Sequence, residues 1–114
     1  MAASETIVLD PNHELFLHPS NHPNYNLSSE PLIGTNYGQW RRSCEVSLVS
    51  KNKLGFVNGS CSKPATGPWI SQWERCNAIV ISWVLHSIRK DITTSVLFCS
   101  TAEQIWDELE LQYG

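Results

Sequence analysis

The chain has four cysteines but no Cys-x-x-Cys pair, no hydrophobic secretory leader, and no apolar run near the roughly 20 residues that span a bilayer. The missing pair argues against a redox motif, and the missing leader and span predict a soluble, intracellular, cytoplasmic chain with reduced thiols and no membrane partner. Positive charge is also missing where nucleic acid would want it. Residues 1–30 and 101–114 each carry four acids and no Lys or Arg, whereas residues 36–63 hold Arg41, Arg42, Lys51, Lys53 and Lys63 against Glu45 alone. A net charge of −3 with acidic ends and a basic middle suits docking between copies better than a grip on nucleic acid, for which a basic domain is expected. No internal repeat is visible.

What is present is enough for one small domain. The 114 residues are 41% hydrophobic and include five tryptophans, and each large aromatic side chain buries roughly 150–250 Å² in a core. Four prolines, Pro11, Pro19, Pro23 and Pro31, fall within the first 31 residues. They predict an extended, partly disordered arm over 1–31, with at most a short strand near Tyr25 to Leu27, and a compact domain over 32–114. His18 and His22, in "HPSNHP", have the spacing of two ligands on one helix face, but Pro19 and Pro23 oppose a helix and no further ligand completes a zinc set.

In "LIGTNYGQWRRSCEVSL", Thr35 or Asn36 is placed to cap a helix, and Tyr37, Trp40, Cys44 and Leu48 recur at steps of three and four. The pattern predicts a helix start and not a phosphate loop, which needs a longer glycine series ending in Lys and Ser or Thr. This helix is expected to fade between Lys51 and Leu54 and to stop at Gly55, with Asn58-Gly59 offering a tight turn; one short β-hairpin is allowed for in the chain. Ser71 and Glu74 are spaced as a capping box for a second helix, in which Trp73, Cys76, Val80, Trp83, Val84 and Ile88 trace one face. Ile79, Ile81 and Leu85 widen that face, predicting a central helix with Arg89 and Lys90 in its last turn. "DITTSVLFC" reads as a short helix. Thr101 and Gln104 open a third main helix with Ala102, Ile105, Trp106, Leu109 and Tyr113 on one side.

Packing explains the reactive residue types. Cys44 and Cys76 lie on apolar stripes, where a buried thiol behaves as a small hydrophobe. His86 has no nucleophile or orienting carboxylate in view, and Asp107 and Glu108 diverge on a helix surface. No catalytic residue, metal, cofactor or small-molecule substrate is expected. Arg41, Arg42, Lys51 and Lys53 are the candidate nucleic-acid contacts.

The ordered series "LHPSNHP", "PLIGTNYGQWRRSCEVSLVSKNKLGFVNGS", "WERCNAIVISWVLHSI" and "TAEQIWDELELQYG" resembles the N-terminal domain of the Gag-like region of copia-type LTR retrotransposon polyproteins. The resemblance rests on Gly34, Asn36, Tyr37 and Trp40; on Lys53, Leu54, Gly55, Phe56 and Gly59; on Trp73, Cys76, Asn77 and Trp83; and on Ile105, Trp106 and Leu109. It implies a mainly α, capsid-like small helical bundle over 32–114, carrying an extended arm and acting in assembly and not as an enzyme. Its partners would be itself or a longer Gag-like polyprotein. The cysteines cannot form the zinc knuckle with which such proteins bind RNA, so only weak RNA contact through the basic 41–63 segment is expected. Ending at Gly114, the chain reads as a C-terminally truncated fragment or a host-retained remnant serving as a protein-interaction domain.

Overall fold

A computed structural model of the chain describes residues 9–114; the part of the expected arm that covers residues 1–8 lies outside them. Five helices follow in order: α1 (Tyr37–Ser50), α2 (Gly55–Asn58), α3 (Ile70–Leu85), α4 (Lys90–Val96) and α5 (Ala102–Tyr113). The mainly α small helical bundle that the resemblance implies is what forms, built on the helices that the apolar spacing predicts.

Helix α1 buries Trp40, Cys44 and Leu48, the inner positions of its stripe. Tyr37, at its start, is half-buried against the same core. Gly34, at φ 104°, turns the chain into α1, a left-handed conformation that glycine adopts without a Cβ penalty. Asn36 takes the N-cap position, yet its side chain caps nothing. Its carboxamide points back instead, accepting from Ile33 N–H at 2.9 Å and donating to the Pro31 carbonyl at 2.9 Å, and so fastens the turn.

Several local expectations are corrected. No β-hairpin forms among the described residues, and before the turn at Asn58-Gly59 "GFVN" winds into the single turn of α2, which buries Phe56 and Val57 together and ends at Gly59 with φ 84°. Among the described residues the β pairing is one isolated parallel bridge, Leu32 with Ile88, and Tyr25 to Leu27 make no strand. Ser71 and Glu74 form no capping box, because α3 begins one residue before Ser71 and its N-cap is Trp69. Arg89 and Lys90 do not close α3 either; Arg89 is the extended N-cap of α4, and its guanidinium holds the Asp91 carboxylate at 2.6 Å. The Thr101 cap does form, with its hydroxyl accepting from Gln104 N–H at 3.1 Å, while the Gln104 side chain reaches one residue further back to Ser100 N–H.

Helix α5 packs on α2, α3 and α4. It also meets α1 through Trp40 and Trp106, whose ring centroids lie 5.5 Å apart. Indole N–H groups are satisfied as burial requires: Trp40 donates to the Ser87 carbonyl at 2.7 Å and Trp73 to the Cys61 carbonyl at 2.9 Å. Asn77, buried on α3, holds the entry of α5 at both ends of its carboxamide, donating to the Ser100 carbonyl and accepting from Ala102 N–H. Among the described residues no helix is long and apolar enough to cross a membrane.

Candidate functional site

The wide apolar face of α3 finds its cover within the chain. Residues 9–31 contain neither helix nor strand but lie along the helical body, with Leu15 and Leu27 buried in the common core. "HPSNHP" makes two successive turns here, closed by Asn21 N–H on the His18 carbonyl and Tyr25 N–H on the His22 carbonyl. Each proline follows the first residue of its turn, where its fixed φ fits.

Body side chains hold this arm by its main chain. Gln72 donates to the Leu15 carbonyl at 2.7 Å, and the Cys76 thiol shares that acceptor at 3.3 Å. Trp83 Nε1 donates to the His22 carbonyl at 2.6 Å, Ser47 Oγ to the Leu27 carbonyl at 2.7 Å and Asn52 to the Asn12 carbonyl at 2.8 Å. Tyr25 stands edge-on to Trp83, and His13 stacks on Trp69.

Lys53 belongs to this seam, which corrects its candidacy as a nucleic-acid contact. Its side chain is 1% exposed, and Nζ donates to the Phe16 carbonyl at 2.7 Å. Burial lowers its pKa, with the nearby Cys76, Cys61 and Glu14 pulling the other way. A phosphate cannot reach an ammonium so enclosed, and the neighbouring sequence gave no sign of it.

The remaining basic candidates are divided by their surroundings. Arg41 bonds Glu45 and Glu110 at 3.2 Å each and the Tyr37 hydroxyl at 3.1 Å, and lies over the Trp106 ring. Burial alone would lower its pKa, but these acceptors raise it. Lys51 Nζ sits 3.8 Å from the centre of the Tyr25 ring, a cation–π contact. Arg42 is exposed. Lys63 pairs with Glu74 at 2.8 Å. Internal work thus occupies most of the charge that the basic segment would offer a polyanion.

The other signature positions, Trp73, Cys76, Val80 and Trp83 on α3 and Ile105, Trp106 and Leu109 on α5, are all buried. Burial pushes the Cys44 and Cys61 thiols up to about 12 and raises Cys76 as well, a setting opposite to that of a reactive thiolate. His86 is exposed at the end of α3, its Nδ1 bonded to the Ser82 carbonyl at 2.8 Å. Asp107 is exposed, and Glu108 accepts from Gln112 on its own helix.

One surface feature was not singled out in the sequence. Between α4 and α5 the chain turns at Leu97 and Phe98, whose side chains are 47% and 91% exposed. Val96, just before them, is buried, so the turn anchors on one apolar residue and presents the next two. The run "SVLFC" carries no periodicity from which to tell these residues apart.

Comparison with known proteins matches residues 18–65 to the Gag-polypeptide of LTR copia-type. Two curated proteins of Arabidopsis thaliana are similar: the retrovirus-related Pol polyproteins from transposons RE1 and RE2, 29% and 28% identical over 112 residues. Each alignment covers 89% of this chain, which spans 8% of the length of either relative. No solved structure matches significantly. Residues 18–65 are thus similar to a copia-type Gag polypeptide, and the likeness to the two polyproteins extends over most of the chain.

Proposed function

We propose that this Gag-like domain is a non-enzymatic structural module that self-associates toward particle formation, with other copies of itself or a longer Gag-like polyprotein as partner. Residues 32–114 are its helical body and residues 1–31 its arm. The observation that carries the reading is the Leu97-Phe98 turn. Phe98, at 91%, is the most exposed of the large hydrophobic side chains among the described residues, and an aromatic residue so presented is the type that anchors protein interfaces. The acidic outer side of α5, with Glu103, Asp107 and Glu110 exposed, disfavours a polyanion on that side of the molecule. Four free cysteines suit a reducing intracellular setting.

Light scattering over a wide concentration range tests this. The mass of the unaltered chain is expected to rise with concentration, and that of Phe98→Ser to stay monomeric with an unchanged circular dichroism spectrum. A mass that rises equally in both moves the interface elsewhere, and a monomer at every concentration removes self-association.

A further inference from the structure

The seam between arm and body is built as a peptide-binding groove that already contains its peptide. Donors on α1, α3 and the loop after α1 converge on the carbonyls of Asn12, Leu15, Phe16, His22 and Leu27. Recognition is of main-chain oxygen, and the buried Leu15 and Leu27 side chains set the register. Nothing in such a set of contacts depends on which copy of the chain supplies the arm.

We propose that the arm exchanges between copies, so that residues 9–27 of one chain occupy the groove of a second. The occupant is thus another copy of this chain, and the inference rests on the self-association proposed above. The arm's link to the body favours it. Leu27 N–H donates to Ser87 Oγ at 2.7 Å and Leu32 N–H to the Ser87 carbonyl at 3.0 Å, so both ends of the link are pinned at one place. Between them only Ser29, Glu30 and Pro31 are exposed. Proline fixes φ and pushes the residue before it toward extended backbone. A hinge this short invites exchange, and swapping an identical element is a low-cost route to a dimer. Closed and exchanged forms share every contact in the seam, so local concentration sets the balance. Crowding copies together is what an assembly domain does.

Cross-linking between two full-length chains distinguishes the forms. Ser20 and Ser50 are exposed and line the same cleft, one on the arm and one at the end of α1. Chains carrying Ser20→Cys alone and Ser50→Cys alone, each with Cys99→Ser to remove the half-exposed thiol, are mixed and treated with a short bismaleimide. A chain carrying both substitutions reports cross-linking within one molecule, and light scattering on the same samples reports mass. Exchange predicts a mixed covalent dimer, bridged from the arm of the Ser20→Cys chain to the α1 end of the Ser50→Cys chain. Its fractional yield nearly doubles for each doubling of concentration while monomer dominates and levels off as the dimer takes over. A mass that rises while only the doubly substituted chain cross-links, within itself, overturns exchange and leaves self-association standing. A monomer at all concentrations that yields no mixed product overturns both.

Discussion

Lys53 Nζ donates to the Phe16 carbonyl at 2.7 Å across 37 residues of sequence, joining the loop after α1 to the arm. The four-carbon stem and the ammonium have opposite consequences for stability. Lys53→Ala removes stem and donor together and is expected to cost about 2–4 kcal/mol, as other large-to-small changes in a core do. Lys53→Met keeps the stem and relieves burial of a charge, which offsets the lost bond, so its cost should stay below about 1 kcal/mol. Urea unfolding of both variants checks this, and equal losses would mean that the ammonium carries the contribution.

Alkali should unfold the protein through its thiols. Cys44 and Cys61 titrate near 12 in the fold against an ordinary 9.0, and Cys76 is also raised. From pH 9 to about 12 the folded state therefore holds more thiol protons than the unfolded chain, and stability falls as pH rises. Lys53 opposes this up to 10.5, because its folded value is depressed. One lysine does not cancel three thiols. Cys44→Ala should flatten the decline by up to roughly 1.4 kcal/mol per pH unit, as measured by chemical unfolding at stepped pH.

Adjacent arginines should behave differently. Arg41 spans Glu45, Glu110, Tyr37 and Trp106, so Arg41→Ala is expected to lower stability by about 1 kcal/mol, a modest sum because the guanidinium remains 31% exposed. Arg42→Ala should change stability by less than about 0.5 kcal/mol. Any RNA affinity should respond to Arg42→Ala with a salt dependence reduced by about one ion. Thermal unfolding and binding titrations at several salt concentrations give the comparison.

The three main helices and their inner residues were legible because period and capping residues act locally. Trp40, Cys44 and Leu48 repeat along α1, and Thr101 caps α5 as its spacing predicts. Asn36 and Ser71 misled because their side chains have competing uses that only the neighbouring chain path decides. The buried state of Lys53 and the outward turn of Phe98 depend on tertiary neighbours and leave no local trace. The covering of α3 was hidden for the same reason: the arm is held by its carbonyls, which every sequence possesses.

Leu32 is gripped from both sides, its N–H on the Ser87 carbonyl and its carbonyl receiving Arg89 N–H, each at 3.0 Å. Mechanically this is a clasp. Tension applied to the N-terminus meets the arm first and then two parallel bonds loaded in shear, so α1 is shielded until the clasp gives way. Pulling the chain by its two ends in an optical trap should release the arm in an early, low-force step and the helices in a later one. A single rip from arm to α5 would show that the clasp does not divide the load.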